Sequence, residues 1–209
     1  MNLVPTMSIA RRKLLDTFER IGCRIVTVHA PPEAPRRAEA EAFIRHVFAQ
    51  RYGARIGSLA PQLVLFEEAG RVVAATGWRA ADKEPLFLEN YLDRPIDETM
   101  AALSAHSVAR ERIVEVGHLA AEKPGSSLHV ILTLARHFDR MGFEWVVFTA
   151  TRELVGIFTR LGLPLLALAP ADPARLGAAA AEWGSYYDAG PVVVAGRIRL
   201  GVERQRKSR

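Results

Sequence analysis

Two rhythms of apolar residues alternate along this chain, and their order predicts its elements. Residues 24–29 alternate as a first strand, closed by Pro31 and Pro32. Over residues 36–52, Ala40, Phe43, Ile44, Val47 and Phe48 fall on one face at the helical period. Residues 62–68 and 71–79 are β-rich runs parted by Ala69-Gly70, the pattern of a hairpin. An apolar run with polar interruptions follows at 85–92, then a short helix over 96–103 after Pro95. Residues 112–120 form the next strand. In 128–141, Leu128, Ile131, Leu134, Ala135, Phe138 and Met141 recur at three- and four-residue steps, a helix stopped by Gly142. Residues 145–149 are a short buried strand. Leu154, Ile157, Phe158 and Leu161 mark one more helix, ended by Gly162, and 163–169 and 192–198 are the final strands.

A hairpin combined with strand–helix–strand crossovers predicts an α/β fold with a mixed sheet covered by helices, rather than a doubly wound one. No internal repeat or low-complexity segment occurs. A chain of 209 residues suits a single core. The expected division is an N-terminal extension over 1–23, one domain over 24–200, and a disordered basic tail over 201–209.

Charge alters this picture only at the end of the chain. The net charge is +5, and from Arg197 onward six basic residues face one acid, Glu203. The remaining residues carry 22 basic and 22 acidic groups, so the body is neutral. Such a tail allows peripheral contact with an acidic membrane, but without interleaved aromatics it predicts no specific nucleic-acid partner. The first twenty residues hold Arg11, Arg12 and Lys13 but no signal-peptide apolar run, and the longest apolar stretch is broken by Pro164 and Pro170. Together with the single Cys23, this points to the cytoplasm.

Four places carry candidate chemistry. Gly125, Ser126 and Ser127 stand where the helix after the 112–120 strand begins. Small residues at a helix N-terminus let an anion approach free N–H groups, although the same residues also serve as an ordinary cap. Glu115 interrupts an apolar strand between Val114 and Val116, so its carboxylate needs a partner or a cleft. It is the candidate base or substrate anchor; a salt bridge with an arginine such as Arg112 is the alternative. His118, three residues on, would face the other side of an ideal strand, and a bulge would bring it to the side of Glu115. Glu89 and Tyr91 flank Asn90 in the 85–92 run; Glu89 either lines an acceptor pocket or sits on an exposed polar face. Trp183, Tyr186 and Tyr187 suit packing or an aromatic wall. Six histidines without His-Glu-x-x-His spacing or paired cysteines predict no metal site, and no Gly-x-Ser-x-Gly elbow is present.

Several segments resemble the thermostable hemolysin family and, beyond it, the GNAT acyltransferase superfamily and the acyl-homoserine lactone synthases. They are Leu86-Phe-Leu-Glu-Asn-Tyr-Leu92, Val114-Glu-Val-Gly-His-Leu-Ala120, Val147-Phe-Thr-Ala-Thr151, Phe158-Thr-Arg-Leu-Gly-Leu163 and Trp183-Gly-Ser-Tyr-Tyr187. The resemblance implies a GNAT-like, mostly antiparallel twisted sheet with splayed central strands and helices on both faces. It implies an N-acyltransferase that moves an acyl group from acyl-CoA, or from the phosphopantetheine of acyl-carrier protein, to a small amine. The donor arm would add like a strand against Val116, Gly117, Leu119 and Thr149, with its phosphate on the turn carrying Lys123, Gly125, Ser126 and Ser127. Glu115 would bind or deprotonate the amine. The chain departs from the superfamily in two ways. The turn has one glycine and a proline, and Phe158 stands near the place of a tyrosine general acid, a role left to Tyr186 or Tyr187. The family name also brings a rival, a membrane-lytic protein, against which stands the lack of any long membrane-inserting segment. A non-catalytic module that binds acyl-carrier protein through the tail is the third reading.

Overall fold

The structure, a computed structural model, describes residues 26–103, 107–122 and 126–206. In chain order the elements are β1 (Val26–Ala30), α1 (Arg37–Tyr52), β2 (Gln62–Glu68), β3 (Arg71–Ala80), a 3₁₀ turn (Phe87–Tyr91) and α2 (Ile96–Leu103). Then come β4 (Ile113–Ala121), α3 (Ser126–Arg140), β5 (Trp145–Ala150), α4 (Arg152–Leu161), β6 (Leu165–Pro170), a 3₁₀ segment (Pro173–Ala189), β7 (Val192–Arg197) and α5 (Ile198–Arg206). The β2–β3 hairpin turns through Ala69 and Gly70, both at positive φ (51° and 77°), as the twist of a tight hairpin demands.

One seven-stranded sheet runs β1-β2-β3-β4-β5-β7-β6. Every neighbouring pair is antiparallel except β4 and β5, which are parallel. That parallel pair is brief: Ile113 faces Trp145, Val114 faces Val146, Glu115 faces Val147, and the ladder then stops. Beyond it β4 stays bonded to β3 as far as Ala121, and β5 stays bonded to β7 through Ala150. The two strands therefore part into a fork whose arms are each held from outside.

Alternation along the strands sends apolar side chains to both faces. On one face, Leu63, Leu65, Ala75 and Ala120 pack with Ala40, Ile44 and Phe48 of α1. Ile113, Trp145 and Val147 pack there with Leu88, Ile96 and Met100 from the 3₁₀ turn and α2. On the other face, Val64, Phe66, Val114 and Ile198 pack with Leu134 and Phe138 of α3, and Phe148 and Val194 pack with Phe158 and Leu161 of α4. The mixed sheet, the splayed centre and the helices on both faces agree with expectation.

Two segments differ from the sequence reading. Residues 173–189 are 3₁₀-helical, broken at Gly177 and Gly184; their Ala-rich, aromatic-ended composition has no helical stripe to announce them. Residues 201–206, expected as disordered tail, continue α5. Burial explains this, since Val202 is 7% exposed and joins Ile198 against α3. The extension over 1–23, including Cys23, and residues 207–209 lie outside the described residues. Among the described residues, no helix is long and apolar enough to cross a membrane.

Candidate functional site

The fork between β4 and β5 opens into a cavity of about 180 Å³, far beyond the ~10–15 Å³ that admits one water. Glu115 sits at its vertex, the last β4 residue paired with β5. Its carboxylate is 6% exposed and fully engaged: the N–H of Phe87 donates to Oε2 at 2.8 Å and that of Leu88 to Oε1 at 2.9 Å. Arg79 stands directly opposite in the β3–β4 register and approaches Oε2 with Nε at 3.3 Å. The alternative partner Arg112 instead pairs with Glu144 at 3.4 Å. Burial pushes the Glu115 carboxyl above the ordinary carboxylate range, against the pull of Arg79 and the two N–H donors. Sequence reading missed Arg79, although a charge ending the apolar run Ala74-Ala75-Thr76-Gly77-Trp78 is the same signal that marked Glu115.

The bulge that would carry His118 to the side of Glu115 is present. The β3–β4 register slips between Ala75 and Gly77, and His118 has φ 54°. Thr76, fully buried, fixes this kink by donating from Oγ1 to the Gly117 carbonyl at 2.9 Å. Val116 and Leu119, three apart, consequently share one face, while the His118 ring lies 5.6 Å from Trp183, stacked at 16°, and 6.2 Å from Phe48. Its Nδ1 is buried without a hydrogen-bond partner among the described residues. Burial, with Arg79 and Arg45 nearby, holds the imidazole down to about 4, so it is neutral at pH 7.

That depression makes a stability prediction with a definite sign. The unfolded imidazole, near 6.5, binds a proton before the folded one does, so this group's contribution is present above about 6.5 and fades as pH falls toward about 4. His118→Asn keeps a side chain that tolerates positive φ but does not titrate. Its unfolding free energy should lose less than wild type between pH 6.5 and 4 in denaturant titrations. Parallel curves for the two proteins would contradict the buried neutral state.

The third wall is the 3₁₀ segment. Tyr186, 8% exposed, donates from its hydroxyl to Thr149 Oγ1 at 3.0 Å across the cleft. Thr149 lies on the unpaired arm of β5, two residues past Val147. Burial pushes the Tyr186 phenol up to about 12, so it stays protonated. Tyr187 turns elsewhere and meets the Tyr91 hydroxyl at 2.6 Å. Trp183, read from sequence chiefly as packing, lines the cleft with Phe48 and Phe87. Phe158 also lines it and sits 5.3 Å from Phe148, which fixes it as an apolar wall.

A profile of the thermostable hemolysin family matches residues 30–202. The chain belongs to that family. Solved structures extend the likeness at the level of fold. The acyl-homoserine lactone synthase LasI superposes with a TM-score of 0.56 at 16% identity, over 87% of this chain and 95% of its own. The CoA-dependent acyl-homoserine lactone synthase BjaI, solved with MTA, gives 0.59 at 14% identity over 90% of each chain. FeeM, an N-acyl amino acid synthase from uncultured soil microbes, gives 0.50 at 11% identity over 84% of this chain and 90% of its own. A search of curated proteins finds no match. The thermostable hemolysin chain thus has the GNAT-like fold of these synthases.

Within this family member, Val116, Gly117, Leu119 and Thr149 line the cleft together with Glu115, His118 and Tyr186. Glu89 does not join them. Its carboxylate accepts N–H bonds from Leu86 and Ile96, each at 2.8 Å, and an ion pair from Arg110 at 2.6 Å. Burial pushes its carboxyl up, but Arg110 and those donors outweigh it and hold the group below the ordinary range. Glu89 is therefore a clasp that shapes the 3₁₀ turn whose Phe87 and Leu88 N–H groups reach Glu115, and the acceptor-pocket reading is corrected. On the turn, Lys123 and Gly125 lie outside the described residues, while Ser126 and Ser127 open α3 as expected.

Proposed function

We propose that this protein is an N-acyltransferase that moves an acyl group from a phosphopantetheine thioester, borne by CoA or a carrier protein, to a small amine. The observation that carries the reading is the fork: β4 and β5 pair at only three positions and then expose facing, unpaired strand edges. An amide-bearing arm can add there as a strand would, because free N–H and C=O groups on such an edge seek partners. LasI and BjaI are by name acyl-homoserine lactone synthases and FeeM an N-acyl amino acid synthase, which supports acyl-transfer chemistry on this fold.

In this reading the amine nitrogen attacks the thioester carbonyl beside the vertex. Glu115 accepts the proton the amine loses; a carboxyl raised by burial is a stronger base than an ordinary one. Thr149 accepts from Tyr186 and so holds that hydroxyl beside the unpaired arm of β5. The carbon–sulfur bond then breaks, and Tyr186, which burial keeps protonated, turns its one O–H from Thr149 to the departing thiolate. His118, neutral at pH 7, lines the same cleft. A CoA or carrier-protein donor supports a cytoplasmic location for this reaction.

The donor phosphate would rest on N–H groups between Lys123 and Ser127 at the start of α3. Gly125→Val should weaken CoA binding by about tenfold in calorimetry while leaving the melting temperature unchanged. Unaltered affinity would remove the phosphate from this turn. The reaction itself is tested by mass spectrometry of lipid extracts from cells expressing wild type or Glu115→Gln. An N-acyl amine present only with wild type supports the proposal. Strong dye release from liposomes without thioester turnover would replace it with the lytic reading that the family name suggests.

A further inference from the structure

Where α3 lies against the β1–β3 side of the sheet, polar side chains from three elements meet outside the cleft. His29 of β1 and His137 of α3 stand with ring centres 4.5 Å apart, and Trp78 of β3 is 6.4 Å from His137. Thr133 precedes His137 by one helical turn and so shares its face of α3. The Nε2 of His137, the Nε1 of Trp78 and the Oγ1 of Thr133 are all buried without a hydrogen-bond partner among the described residues. One such group is costly to leave dry, and three around a single helical turn mark a place that a polar ligand completes. His29 is exposed, so solvent has access to the histidine pair. None of these four residues lines the cleft.

We infer that His29 and His137 together bind a divalent transition-metal ion of the zinc and nickel kind, with water filling the rest of its coordination. The ring separation fits this. A ring nitrogen lies ~1.2 Å from its ring centre and a metal–nitrogen bond is ~2.0 Å, so each centre would stand ~3.2 Å from a shared ion. For a nitrogen–metal–nitrogen angle between square and tetrahedral, the two centres are then ~4.5–5.2 Å apart. The rings are tilted by 39°, unlike the flat stack of His118 on Trp183 at 16°. Imidazole is a ligand that suits zinc, copper and nickel, whereas calcium and magnesium prefer oxygen. Among the described residues no group of three His, Cys, Asp or Glu side chains could hold an ion, so two imidazoles and water are the whole set. Arg140, one turn further along α3, adds a like charge and keeps the affinity moderate. A water on the ion supplies a donor for Thr133 Oγ1. Local spacing could not announce this pair, because one ligand is on a strand and the other on a helix. Its effect falls on the sheet edge: β1 is bonded only to β2, and an ion on both histidines ties that edge strand to α3. An ion that binds the folded chain in this way stabilises it.

The test titrates the full chain, first stripped with a chelator, with zinc chloride and with nickel chloride in a calorimeter. Tryptophan emission is followed during the nickel titration. One ion should bind per chain, nickel should quench the part of the emission that comes from Trp78, and zinc should raise the melting temperature. His29→Gln changes an exposed side chain and His137→Gln a half-buried one. Each should weaken binding by about tenfold or more, since even an outer-shell partner of a metal ligand is worth that much, and each should abolish the zinc-dependent rise in melting temperature. Melting curves in chelator confirm that both variants are folded. Absence of saturable binding by either ion overturns the inference. Affinity that survives both substitutions assigns the ion to another histidine, such as the exposed His46, and overturns it as well. Weakening by one substitution alone removes the shared site. None of these readouts involves a thioester or an amine, so the outcome is independent of the proposed acyl transfer.

Discussion

Glu115→Gln should lower turnover by about 100-fold or more while donor affinity stays within about threefold, because loss of a general base acts on proton transfer and not on the arm in the fork. The structure adds a second effect. Both oxygens of Glu115 accept from N–H groups, and a glutamine can present only one oxygen. Its NH₂ must face either the Phe87 or the Leu88 N–H, donor against donor, and it leaves Arg79 without its charge partner. An unsatisfied buried donor costs about 1–3 kcal/mol, so the melting temperature should also drop. The two effects separate in one preparation. Turnover per folded molecule is measured below the melting transition, and acyl-pantetheine affinity is measured alongside it. A variant that melts early but turns over normally while folded would make Glu115 a clasp for the 3₁₀ turn, as Glu89 is, and leave proton transfer to another group. Arg79→Lys is the companion variant. It keeps the charge but loses the cross-strand reach of Nε, and the acidic limb of the pH–rate profile should shift if Glu115 is the base.

The sequence made the sheet legible because its strands are bounded by their own chemistry. Ala69-Gly70 dictated the hairpin, and the periodic faces of α1, α3 and α4 had to pack on something flat. Glu115 stood out for an equally local reason, a charge inside an apolar run. The partners of these groups were less visible, since partnership depends on register. Arg79 meets Glu115 only because β3 and β4 align those two residues, and Arg112, nearer in sequence, points to Glu144. Glu89 shows the same limit from the other side: its polar setting in an apolar segment was real, but a clasp and a pocket wall look alike until Arg110 is seen against it. The His118 bulge could be named in advance only as a condition. What makes it is Thr76 on the neighbouring strand, whose hydroxyl holds the Gly117 carbonyl. The 3₁₀ segment was the largest omission. Its order comes from tertiary contacts at its far end, where Glu182 accepts the N–H of Gly57 at 3.1 Å and offers its carbonyl to the N–H of Arg55 at 2.6 Å.

That segment yields the second large effect, because two of its glycines share a backbone conformation and differ in surroundings. Gly177 has φ 55° and ψ −132°, and Gly184 has φ 54° and ψ −130°, a region that side chains of L-residues avoid. A Cβ on Gly177 would meet nothing within 4 Å, whereas one on Gly184 would run into the Tyr52 carbonyl at the end of α1. Gly177→Ala should therefore incur backbone strain alone, about 1–3 kcal/mol, and keep its turnover. Gly184→Ala incurs the same strain and must also push the segment off α1, which adds about 1–3 kcal/mol more by overpacking. The displacement reaches the cleft, because Trp183 stacks on His118 on one side of this glycine and Tyr186 bonds Thr149 on the other. Turnover should fall at least tenfold with Gly184→Ala, the order expected when a wall and a hydrogen-bond donor lose their positions. Denaturant unfolding and steady-state rates on the pair decide it. Equal losses of stability with equal activity in both variants would show that the segment is only a cover, and that Trp183 and Tyr186 line the cleft without serving it.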